Sequence, residues 1–287
     1  MNGADDINYQ PLEVDTHAFK TVWRAYRVGD IAIIAITVPL VLAGLVHPAG
    51  LLPLTQVGFC LFVFWVIYLS LKINAFKNGA WEAFALANGW PIDSVEDPET
   101  LIPLSIQFGY EPNLSPVITA QLGDIPADLY VLSVWVGEGR ERRQYFETVA
   151  RVDLPKVLPH MVLRAKKDSA YLQQDLADHE KLELEGDFGD YFTLEIEKGQ
   201  EVDALAILTP DVMQTLVTYS QKEDIEIAGA CLYFIINGDE RRPDVIKQVT
   251  QSVTQLSGKI VEHIIQTTAP EALAPSTETV PPVSRLA

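Results

Sequence analysis

The chain has 287 residues, 48% of them hydrophobic, with 21 Lys and Arg against 39 Asp and Glu, a formal net charge of −18. Such a length holds one sizeable or two small globular units beside any further segment, and so acidic a surface repels the phosphates of nucleic acid, which excludes DNA and RNA as expected partners. The acidity is uneven: residues 1–78 hold five basic and five acidic groups, so the whole excess falls on 79–287, with 16 basic and 34 acidic.

Residues 1–27 read as a polar N-terminal segment ending in an interfacial helix, because Phe19, Val22, Trp23 and Tyr26 fall at helical spacing with Lys20, Arg24 and Arg27 between them. Two apolar runs follow, Ile31 to Val46 and Leu54 to Ile73, joined by the charge-free 47–53. A bilayer core needs about 20 apolar residues in a helix, so the expectation is a two-helix transmembrane hairpin over 28–78, kinked at Pro39. Neither run carries an ionisable side chain away from its ends, which argues against a channel or transporter. Trp23, Arg24, Tyr26 and Arg27 before the hairpin, with Tyr68, Lys72 and Lys77 at its far end, read as membrane-interface residues. With no basic residue in the connecting loop, both termini are expected in the cytoplasm and the bilayer is expected as a partner. The second helix is expected to continue past Trp81 and Phe84 to a stop at Asn88-Gly89.

Residues 79–266 are expected to form a soluble α+β domain, a mixed and mainly antiparallel sheet with two or more packed helices and a candidate sub-boundary near 168–180. The proline-rich stretch from Trp90 reads as an extended connector entering a strand at Val117 to Leu122. Leu129 to Val136 and the alternating Gln144 to Asp153 read as strands joined by a glycine-assisted hairpin over 137–143. A short helix is expected near 170–177, then strands at Leu182 to Glu185, Tyr191 to Glu197 and Val202 to Leu208. Thr209-Pro210-Asp211 has the composition of a helix start, with a hydroxyl cap, proline at the first position and a carboxylate near the positive dipole end. Strands at Ile225 to Ala228 and Cys231 to Ile236 precede a last helix that opens at Pro243-Asp244 and holds a 3.6-residue apolar period to about Gln266. Residues 267–287, with four prolines, read as a disordered tail.

No residue pattern commits the chain to a reaction. His17, His47, His160, His179 and His263 stand apart in sequence without a partner at metal-ligand spacing, and nucleophile-elbow, phosphate-loop and dinucleotide signatures are absent. Asp187-Phe188-Gly189 matches a kinase triplet without its partner motifs. The acidic residues Asp175, Asp178, Glu180, Glu183, Glu185, Asp187 and Asp190 have oxygen donors suited to calcium or magnesium, but their alternation with apolar residues fits the solvent face of a strand. Cys60 and Cys231 read as small hydrophobes. No catalytic, cofactor or metal residue is therefore assigned. The candidate binding feature is the hairpin tip with Arg140, Arg142 and Arg143, whose guanidinium forks suit an anionic partner.

Three stretches, 81–90, Tyr145-Phe146-Glu147-Thr148-Val149 through Leu158-Pro159-His160, and Leu184-Glu185-Gly186-Asp187-Phe188 through 208–213, taken in this order, resemble uncharacterised bacterial two-pass membrane proteins with a C-terminal cytosolic domain of unknown function. The resemblance implies a bacterial inner-membrane location and no known activity. The resulting expectation is a membrane-anchored cytosolic domain that binds a protein partner, a second copy or a small ligand. The alternatives are a membrane-tethered hydrolase or transferase with a site scattered in sequence, and a lipid-responsive structural protein. Convergence of carboxylates or a histidine in a pocket favours the enzyme; an open sheet edge or an exposed apolar face near the Thr209 helix favours the binding module.

Overall fold

The computed structural model describes residues 7–13, 77–93, 98–107, 109–167, 176, 178–182, 184 and 186–268, together with helical positions 63, 64, 67, 68, 71 and 75. Helix α1, residues 77–87, buries Trp81, Phe84 and Ala85 and exposes Glu82 and Leu86, the spacing of an amphipathic helix packed on protein. It ends where expected, in a turn at 88–89 with Gly89 at φ 69°. Residues 7–13 lie against it: Tyr9 stacks on Phe84 with ring centroids 5.8 Å apart, and Asn8 N–H donates to the Asn88 side chain at 2.7 Å.

Eight strands form one sheet, antiparallel in every described pairing: β1 (Ile92–Asp93), β2 (Tyr110–Leu114), β3 (Val117–Leu122), β4 (Ile125–Val136), β5 (Arg143–Ala165), β6 (His179–Leu182), β7 (Phe192–Glu197) and β8 (Asp224–Asn237). The order is β1-β3-β4-β5-β7-β6, with β2 beside β4 and β8 beside β5. The β4–β5 hairpin forms with Val136 opposite Arg143. Gly137, at φ 84°, serves this turn because a Cβ there would come within 2.8 Å of the Glu141 carbonyl.

Among the described residues three longer helices follow α1: α2 (Glu201–Ile207), α3 (Pro210–Tyr219) and α4 (Pro243–Thr268). The Thr209 hydroxyl caps α3 by accepting from the Val212 N–H. The stripe Ile246, Val249, Val253, Leu256 and Ile260 of α4 joins a core with Ile225, Ile227, Leu232 and Phe234 of β8 and Ala150, Val152, Met161 and Leu163 of β5. On the other sheet face a smaller core forms beneath Leu101, Ile102 and Ile106, with Tyr130, Val149, Tyr233 and Ile235.

The structure corrects several expectations. The described residues show no N-terminal transmembrane hairpin: no helix among them is long and apolar enough to cross a membrane, so the expected hairpin over 28–78 and the membrane terms attached to the chain find no support there. An uncharged apolar run reports the absence of charge and not the identity of the solvent around it: the described apolar positions of this segment, Val63, Phe64, Ile67, Tyr68 and Leu71, are exposed, and the chain packs on the sheet only past it, through Trp81 and Phe84. Residues 28–62 lie outside the described residues, as do Trp23, Arg24, Tyr26, Arg27, Lys72 and Cys60. Of the expected interface residues, Tyr68 is half exposed, whereas Lys77 donates to Asp239 at 2.7 Å, a partner in the loop after β8. The stretch Val202 to Leu208 is mostly helix α2 and not a strand; only Ala204 and Ile207 of that helix are buried, a helical spacing, and Glu201 and Asp203 sit in its first turn. The two expected strands 225–228 and 231–236 are one strand, β8, kinked at Gly229 with φ 61°.

Candidate functional site

β5 changes direction between Asp153, opposite Cys231, and Leu158, opposite Gly229. Leu154, Pro155, Lys156 and Val157 stand opposite Ala230 alone, and Pro155 has no N–H to give the ladder, so the strand bulges here. The bulge forms one wall of a cleft of about 630 Å³. The far wall is α2, which presents Asp203, Ala206 and Ile207, and the end of α4 adds His263 and Ile264. Glu197 and Gln200 close one side. The lining mixes apolar and polar side chains: Val157 is 70% exposed on the bulge, beside Lys156, and α2 adds Asp203.

His160 stands where the bulge rejoins the ladder and lines the cleft. Its side chain continues into a buried chain of hydrogen bonds. Glu226, wholly buried on β8, accepts from the Ser105 N–H at 3.2 Å and from the Ser105 hydroxyl, and its Oε1 lies 3.1 Å from His160 Nε2. His160 Nδ1 lies 2.8 Å from Nε2 of His179 on β6, the rings meeting edge to face at 81°. His179 Nδ1 is buried without a hydrogen-bond partner among the described residues. Burial, and secondly the neighbouring His160, lower the His179 pKa from its ordinary value, against the pull of Glu197, Glu195 and Glu226. Beside this chain, Arg164 Nε donates to Glu195 at 3.1 Å, with Lys181 3.7 Å from the same carboxylate.

Among the described residues no group of three or more His, Cys, Asp or Glu is placed to hold a metal ion. Of the acidic run singled out in sequence, Asp175, Glu183 and Glu185 lie outside the described residues. The arginines of the hairpin tip do not converge. Arg140 lies in an exposed 3₁₀ turn and Arg143 begins β5, while Arg142 donates to Glu111 at 2.6 Å and lies 4.3 Å over the Trp135 ring. The site that does converge, His160 with His179, was invisible in sequence because β7 lies between β5 and β6 and brings together residues whose numbers share no period. The available signal was Pro155 inside an otherwise strand-like run, which marks a bulge.

No family model matches the chain, and no curated protein matches it. Among solved structures, the crystal structure of the mycobacterial trehalose monomycolate transport factor A, TtfA, is similar over 73% of this chain and 97% of that one, at 11% identity and a TM-score of 0.45, a likeness too distant to carry a function across.

Proposed function

We propose that this domain is a binding module, and that its cleft takes an amphipathic ligand with an apolar body and a cationic, hydrogen-bond-donating end. The observation that carries this reading is the presence, in one cleft lining, of the apolar Val157, Leu158, Ile207 and Ile264 together with two exposed carboxylates, Glu197 and Asp203, that no ion pair engages among the described residues. Each buried methylene contributes about 0.8 kcal/mol, and the negative potential of a chain with net charge −18 favours a cation over an anion. The exposed Val202 and Leu205, on the helix just before Thr209, extend the apolar surface and favour binding over chemistry. A histidine and carboxylates do meet in this cleft, the condition that favours a hydrolase. Against that reading, the nearby hydroxyl, Ser105, is buried and gives its hydrogen to Glu226, so it is not activated by an imidazole.

Titration calorimetry with dodecylammonium and dodecyl sulfate, each below its micelle concentration, tests the proposal. Saturable binding of the cation, weakened about tenfold or more in a Glu197→Gln, Asp203→Asn variant, is the expected result. Equal binding of both detergents, or of neither, refutes it.

A further inference from the structure

We infer that His160 and His179 share one proton-accepting position and gate the cleft: with the pair uncharged the cleft holds its cationic ligand, and a proton taken up by the pair weakens that hold. The inference rests on the binding reading above and concerns the regulation of the same site.

The donors and acceptors fix the direction of the chain. Ser105 spends both its N–H and its O–H on Glu226, so Glu226 acts as an acceptor and the hydrogen between it and His160 belongs to Nε2. A neutral His160 then has its lone pair on Nδ1, and the hydrogen between the two rings belongs to Nε2 of His179. The remaining lone pair falls on His179 Nδ1, the buried atom without a partner among the described residues. The chain from Glu226 to His179 therefore ends in one open basic position. Two imidazoles with nitrogens 2.8 Å apart cannot both carry a charge without strong repulsion, so they titrate as one unit.

The groups around the pair decide what its charge does. Glu226 faces it from β8, and Glu195 and Glu197 face it from β7. Arg164 and Lys181 are engaged with Glu195. On the cleft side stand Lys156 of the bulge, Asp203 of α2 and His263 of α4. His179 is directly opposite Glu197 in the β6–β7 ladder, and Glu197 is one of the two carboxylates assigned to the ligand. A proton on the pair thus places a positive charge behind the group that receives the ligand's cationic end, and supplies that carboxylate with a competing partner.

The test uses the full chain with His263→Gln as background, so that the other histidine of the cleft does not titrate. Imidazole ¹⁵N correlation spectra from pH 8 to 5.5 report tautomers and protonation, and dodecylammonium affinity is measured over the same range, above the ordinary carboxylate range. The expected result has His160 protonated at Nε2 and His179 at Nε2 at pH 8, a single proton shared by the pair on acidification, and affinity falling about tenfold. In His179→Gln, whose amide still donates toward His160 but does not titrate, affinity is flat with pH. Independent titration of the two rings, or a pH dependence that survives in His179→Gln, overturns the gate and leaves the cleft reading standing. Spectra with the shared proton but no dodecylammonium binding at any pH overturn the cleft reading and the gate with it.

Discussion

The two faces of β5 and β8 hold the sheet to its surroundings by different means. On the face toward α4 the contacts are apolar, with Leu232, Phe234, Ala150 and Leu163 packed against Val249, Val253 and Leu256. On the other face, past the small core under Leu101 and Ile106, the strands carry Arg151, His160, Arg164 and Glu226, each with a directional partner. Burial of apolar area is tolerant of geometry and supplies most of the stability. A buried polar chain supplies little net stability but permits one arrangement only, since any lost partner leaves a desolvated group behind. One face is accordingly suited to holding the fold, the other to positioning a site.

Truncation on the apolar face has the largest expected effect. Phe234→Ala, at a fully buried position, should cost about 3–5 kcal/mol in urea unfolding, the sum of lost transfer energy and the cavity left behind.

A buried acid beside the last helix comes next. Glu223, wholly buried, accepts from Ser252 at 3.1 Å and Gln248 at 3.3 Å, and burial pushes its pKa from 4.5 to about 7. Below pH 4.5 the carboxyl is protonated in both folded and unfolded chains; between there and about 7 the unfolded chain releases its proton while the folded one keeps it. Stability tied to this group is therefore fully present below 4.5 and declines as pH rises to about 7, by about 3 kcal/mol in all. Unfolding midpoints across that window should fall in the native chain and lose this slope in Glu223→Gln.

Smaller again is Arg142→Ala, which removes the guanidinium from the Trp135 ring and from Glu111 at an exposed site; a loss of about 1 kcal/mol by thermal unfolding is expected. The smallest change is the most informative about the polar face. Replacing both partners of the buried Arg164–Glu195 pair, as Arg164→Met with Glu195→Leu, should leave stability within about 1 kcal/mol of native, whereas Arg164→Met alone should cost about 3 kcal/mol by leaving the buried carboxylate with only the exposed Lys181, 3.7 Å away. Equal losses in single and double variants would mean that this face contributes to stability as the apolar one does.

The same contrast explains what could be read from the sequence. The apolar period of α4, the cap at Thr209, the alternation of Gln144 to Asp153 and the hairpin at Gly137 follow from local rules, and each reappears in the structure. Length and pairing follow from tertiary context: β5 runs on to Ala165, well past the predicted Asp153, because β7 and β8 both pair with its second half. The apolar run 202–208 has no period that separates helix from strand, and its environment decided. The histidine pair depends on three strands meeting in register, and residues 19 positions apart carry no mark of it. The apolar stretches before residue 78 show the converse limit, since hydrophobicity alone names no surroundings.

The bulge in β5 has a consequence for how the molecule opens. The strand's first half is held by β4 and its second by β7, while β8 runs alongside both. Between Arg151 and Met161 neither β4 nor β7 pairs with β5 and the β8 register shifts twice, so the bulge is a seam in the ladder, and amides in β5 and β8 on its two sides should exchange with deuterium at different rates, with a cleft ligand slowing exchange mainly on its own side.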